Sequence, residues 1–94
     1  WGRRAVPVVA DLLEPGACER AVEEAAAALG GLDLVVNNAG ASVLGSFLDV
    51  EEEAFWGGVE LKLRGYVRVA KAAIPHLRAR GDVAGRRVHC TAIF

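Results

Sequence analysis

Apolar and polar positions along the chain follow two different repeats, one that suits strands and one that suits helices. Residues 5–10, Ala-Val-Pro-Val-Val-Ala, are a short apolar run rich in β-branched side chains and predict a buried strand. Pro7 lacks a ladder donor, which places that strand at a sheet edge. Over residues 15–29, Cys18, Ala21, Val22, Ala25, Ala28 and Leu29 recur at steps of three and four, with Glu19, Glu23 and Glu24 between them. That spacing predicts a helix with one apolar face, begun by Pro15 in its first turn and stopped by Gly30 and Gly31. Residues 32–37 are apolar on both faces from Leu34 to Val36, as in a parallel strand covered by helices. A loop over 38–48 leads to a long helix, headed by Asp49 in a capping-box pattern and running to about residue 80. Phe55, Val59, Leu63, Val67, Ala70, Ile74 and Leu77 form its predicted core stripe, and Pro75 should bend or end it. Residues 87–93 read as a third strand. The order strand, helix, strand, helix, strand is that of an α/β fold with parallel strands and right-handed crossovers.

Composition narrows the function classes. The length, 94 residues, suits one small domain, and a chain without methionine is expected to be an excerpt of a longer one. Hydrophobic residues at 53% and charged residues at 24% exclude disorder. The net charge of -1 gives no reason to expect a nucleic-acid partner, and no apolar run reaches the ~18 residues of a membrane helix. Cys18 and Cys90 have no metal-site or disulfide-framework spacing and read as small core thiols. His76 and His89 have no ligand cluster beside them, so no metal site is expected.

The chemistry concentrates at the end of the second strand, in Asn37-Asn38-Ala39-Gly40. Open α/β sheets bind ligands beyond the carboxyl ends of their strands. Ala39 and Gly40 are small enough for a ribose or phosphate to approach the backbone, and an asparagine amide can bridge neighbouring strand ends. The same four residues also suit a plain strand-to-loop exit.

The ordered set of motifs resembles the short-chain dehydrogenase/reductase family. Asp11-Leu12 matches the Asp-apolar pair after the family's third strand, and Asn37 to Gly40 match its Asn-Asn-Ala-Gly. Glu51-Glu52-Glu53-Ala54-Phe55-Trp56 matches an acidic, Trp-bearing helix start. Gly65, Ala72-Ala73-Ile74-Pro75 and Gly85-Arg86-Arg87-Val88 follow in the family's order. The resemblance implies a partial doubly wound, Rossmann-like parallel sheet, β-α-β-α-β, with residues 1–94 as a piece of one NAD(P)-binding domain. It implies NAD or NADP as cofactor, with the Asp11 carboxylate accepting from the adenine amino group and Leu12 against the ring. Asn38, Ala39 and Gly40 would line the ribose. The substrate would be a small alcohol or carbonyl compound and the location cytoplasmic. The 50–80 helix would pair with its copy in a homo-oligomer, with Phe55 and Trp56 as anchors.

Departures from the family pattern bear on catalysis. The glycine-rich phosphate loop would precede these residues, and the catalytic Tyr-x-x-x-Lys pair would follow them. Tyr66 and Lys71 do not replace that pair, because five residues on a helix turn through about 140° and the two share no face. Lys62 stands where the family has an asparagine that anchors a water. Ala92 aligns with the usual catalytic serine, and a slip of one residue would make Thr91 the hydroxyl. A non-catalytic nucleotide-binding or scaffold protein is therefore the alternative to an oxidoreductase. In the family's strand order, 3-2-1-4-5, two further strands would lie between the first two strands predicted here. Their absence from the 94 residues would leave a gap and a poorly folding piece.

Overall fold

A computed structural model describes residues 4–81 and 91–94. Helix α1 spans Ala17–Leu29, strand β1 Leu34–Val36, helix α2 Glu52–Val59, helix α3 Gly65–Gly81 and strand β2 Thr91–Ile93; a π-helical turn, Glu60–Arg64, joins α2 to α3. The strands pair in parallel, Val35 opposite Ala92, and α1 and α3 pack against each other. A parallel pair joined through helices is the α/β arrangement expected from the sequence.

α1 forms where its alanines and glutamates predict it. Ala17, Cys18, Ala21, Val22, Ala25 and Ala26 are buried. Gly16 and Gly30 bracket the helix, both left-handed with φ near 75° (75 and 76), and the Gly30 N–H closes onto the Ala26 carbonyl. A side chain at either position would be strained. Gly16, outside the helix, sets its start two residues later than expected and leaves Pro15 in the preceding turn.

Val22, Leu32, Val69 and Ala73 are wholly enclosed at the centre of the core, with Cys18, Ala25, Ala26 and Ala92 around them. Burial pushes the Cys18 thiol above its ordinary pKa, and its S–H faces the Leu12 carbonyl at 3.5 Å. This thiol is a core residue, as expected; Cys90 and His89 lie outside the described residues. Two polar links tie α1 to the elements around it. The Arg80 guanidinium donates to the Gly30 carbonyl at 2.7 Å and lies 3.5 Å from the Asp33 carboxylate. His76 meets Glu23 at 2.9 Å.

Four expectations are corrected. Residues 5–10 are irregular, because no strand among the described residues lies beside them and a lone extended segment leaves its ladder groups unpaired. The Asp49 capping box is not made; Asp49 belongs to a turn closed on the Ser46 carbonyl, and α2 starts at Glu52 behind Glu51. Pro75 does not end the long helix, since α3 continues to Gly81; the interruption is the π-helical turn instead. The core stripe is also different. Gly65, Val69 and Ala73 face inward, whereas Leu63, Val67 and Ile74 are exposed. Small side chains let α3 approach α1 closely, and the larger apolar residues are left outside.

β2 matches the end of the third predicted strand. Its 87–90 portion and the Gly85-Arg86-Arg87-Val88 match lie outside the described residues. Val35 and Ala92 face the helices, while Leu34, Val36 and Ile93 on the other face of the sheet are exposed. The described sheet is therefore covered on one face, not on both.

Candidate functional site

The turn after β1 is held by β2. The Phe94 N–H donates to the Val36 carbonyl at 2.9 Å, and the Phe94 carbonyl accepts from both Asn38 and Ala39 N–H at 2.7 Å. Two successive amides on one carbonyl fix the path of Asn38 and Ala39 beyond the strand ends. The Asn37 amide does not bridge the two strands. Its Nδ2 reaches the Tyr66 carbonyl of α3 at 3.4 Å, and its buried Oδ1 has no hydrogen-bond partner among the described residues.

Asp11 is exposed, and its Oδ1 accepts from the Leu13 N–H at 3.0 Å while its carbonyl accepts from the Glu14 N–H. It thus shapes the turn that precedes α1. The other carboxylate oxygen has no hydrogen bond among the described residues. Leu12 is half-buried against the core.

Asp11, Leu12 and Ala39 line one cavity of about 770 Å³, together with the underside of α1 and residues 91–94. Its wall is mostly apolar, with Val8, Ala21, Ala25 and Leu29, and Asp11 supplies the carboxylate. Three of the five residues expected at a cofactor site therefore come together. Asn38 and Gly40 do not line this cavity; Asn38 takes part through its backbone amide.

Gly40 has a different neighbour. A Cβ there would lie 2.6 Å from Cε and 3.6 Å from Nζ of Lys62. The lysine stem thus lies across the glycine of the turn, where the sequence suggested room for a ribose or phosphate. Lys62 belongs to the π-helical turn, and its two sides serve two cavities. Leu61 lines the first, while Lys62 and Leu63 line a second of about 500 Å³ beneath the 41–50 loop. Sequence comparison marked Lys62 as unusual, but nothing in the spacing signalled its contact with Gly40.

Thr91 is exposed, with its hydroxyl outside the core, and Ala92, which has no hydroxyl, is buried. Tyr66 is half-buried and Lys71 exposed, in keeping with a packing role for the tyrosine. Among the described residues no three histidine, cysteine or carboxylate side chains gather as metal ligands. No helix among them is long and apolar enough to cross a membrane.

A family model described as short chain dehydrogenase matches residues 2–89. The oxidoreductase UcpA of Escherichia coli strain K12 is 37% identical over 81 residues, which is 86% of this chain and 31% of the relative. A short chain dehydrogenase from Burkholderia cenocepacia, solved in complex with NADP, superposes with a TM-score of 0.72 at 36% identity. That likeness covers 81% of this chain and 31% of the solved one. The NADH-dependent reductase A1-R', solved with NAD, gives a TM-score of 0.68 at 26% identity, over 81% of this chain and 32% of its own. The chain thus spans about a third of the length of these relatives.

Proposed function

Because the chain belongs to the short-chain dehydrogenase family, we propose that it forms the adenosine side of a dinucleotide site in an NAD(P)-dependent oxidoreductase. The observation that carries this reading is the convergence of Asp11, Leu12 and Ala39 on one cavity beside an amide-anchored turn. A carboxylate oxygen with no hydrogen bond among the described residues suits an exocyclic amino group, whereas the apolar wall along residues 5–10 and α1 borders the gap that the family's two intervening strands would fill. The solved relatives that hold NADP and NAD support both cofactors equally.

The chain's own residues bind and orient. Asp11 accepts from the base and Leu12 packs on it. The Asn38, Ala39 and Gly40 turn lies along the ribose, and Lys62 must swing from Gly40 for a sugar to sit there. When bound, the nicotinamide would exchange hydride with an alcohol or carbonyl carbon. No Tyr-x-x-x-Lys pattern occurs in the 94 residues. A non-catalytic nucleotide-binding role is the second reading, favoured by the buried Ala92 at the serine position. The exposed stripe of Trp56, Leu63 and Val67 supports pairing of two copies through α2 and α3.

Asp11→Asn keeps an acceptor for the Leu13 N–H and removes the charge. In the complete protein it should weaken NAD(P)H binding by about 1–2 kcal/mol, a factor of roughly 5–30. Calorimetric titration reads this directly, and an unchanged dissociation constant would overturn the assignment of Asp11.

A further inference from the structure

We propose that Lys62 recognises the carboxylate of an otherwise apolar substrate. The inference rests on the oxidoreductase reading and adds a substrate class to it. Four observations carry it.

The second cavity, of about 500 Å³, is within the size range of small-molecule sites, and its wall includes Val43, Phe47, Val50, Phe55 and Val59. Lys62 is the sole charged side chain among its lining residues. Lys62 also has no ion-pair partner among the described residues. Glu60, the acid of the same turn, is held by Arg64 at 3.0 Å instead. Finally, the lysine stem crosses Gly40, so its ammonium stands where the cofactor turn meets the apolar cavity. The π-helical turn produces this placement, sending Leu61 to one cavity and Lys62 to the other. Such turns recur at functional sites.

A carboxylate drawn into an apolar cavity loses hydration, and a facing ammonium compensates that loss. A neutral analogue of the same shape gains nothing from the ammonium, and a cationic one is repelled. The cavity and its cation therefore select an acid with an apolar body over the matching amide or amine. A dinucleotide phosphate is the other anion that could reach Lys62, and the experiment separates the two.

Hexanoate and hexanamide serve as probes, titrated calorimetrically into the complete protein with and without saturating NADPH or NADH. Hexanoate should bind about tenfold more tightly than hexanamide, the scale of one charge-assisted hydrogen bond. Lys62→Met, which keeps an apolar stem, should erase that preference. Lys62→Arg should restore the preference. Lys62 is exposed, and circular dichroism and melting curves matching the unaltered protein are required of both variants. Absence of any hexanoate preference in the unaltered protein, or its survival in Lys62→Met, overturns the proposal. Weaker NADPH or NADH binding in Lys62→Met, with hexanoate binding unaffected, assigns the cation to the dinucleotide and also overturns it. Failure of the unaltered protein to bind either cofactor would sink the oxidoreductase reading, while the hexanoate comparison without cofactor still reads Lys62.

Discussion

The layer formed by α1, α3 and the strands differs from the 41–64 segment in side-chain size and in burial. In the first region small residues do the packing: six residues of α1 are buried, and Val69 and Ala73 of α3 share their core. In the second, α2 and the π-helical turn bury no residue fully, although the segment carries more aromatic mass. Phe47 packs edge-on against Phe55, and Phe55 against Trp56, at centroid distances of 6.5 and 5.4 Å. Phe47 nonetheless stays 83% exposed and Trp56 53%, so these rings contact one another without forming a core. The difference teaches that apolar content alone does not locate the core; close backbone approach, which small residues allow, does. The chain's radius of gyration of 15.9 Å fits this picture. A compact domain of this length would have about 12 Å.

The largest expected effect breaks the first region. Leu32 is wholly enclosed between α1 and α3, and Leu32→Ala should cost the complete protein about 2–5 kcal/mol in a urea unfolding series. A loss below about 1 kcal/mol would mean that Leu32 sits in a site able to collapse around the smaller side chain. Leu63→Ala is the matched change in the second region, where the leucine is 66% exposed. If the outer stripe faces water, this substitution should cost no more than about 0.5 kcal/mol. If two copies bury the stripe, the cost rises toward that of Leu32→Ala and the sedimentation coefficient falls. A monomer in both the unaltered and the altered protein would remove the case for pairing through this helix.

What the sequence made legible follows the same division. α1 could be read because its apolar face, its acids and Gly30 all point to one helix. β1 could be read because Leu34, Val35 and Val36 are flanked by Asp33 and Asn37. Residues 5–10 have equally good strand composition yet stay irregular, since a strand exists only with a partner and composition does not supply one. The helix over 52–81 carries two apolar stripes, and periodicity cannot tell which one faces the core. The π-helical turn adds to this by resetting the register between α2 and α3. Asp11, Leu12 and Ala39, singled out in the sequence by two separate motifs, line one cavity. The placement of Lys62 over Gly40 was not legible, because it depends on that turn rather than on any spacing in the chain.

A further small effect is expected at the polar link between α1 and α3. His76 Nε2 and Glu23 Oε1 are 2.9 Å apart, but the glutamate side chain is 65% exposed. Solvent screens a pair of this kind, and ordering the glutamate costs entropy, so His76→Ala should lose less than about 1 kcal/mol. Raising the salt concentration should shrink even that difference if the pair is ionic, because the Debye length falls to about 3 Å at 1 M. The helix contact itself should persist, since Val22, Val69 and Ala73 are excluded from water whatever occupies position 76. Urea midpoints of the complete protein and of His76→Ala, at low and high salt, measure this. A loss as large as that of Leu32→Ala would show that the small-residue layer does not hold α1 to α3 by itself, and the contrast between the two regions would then rest on polar contacts rather than on packing.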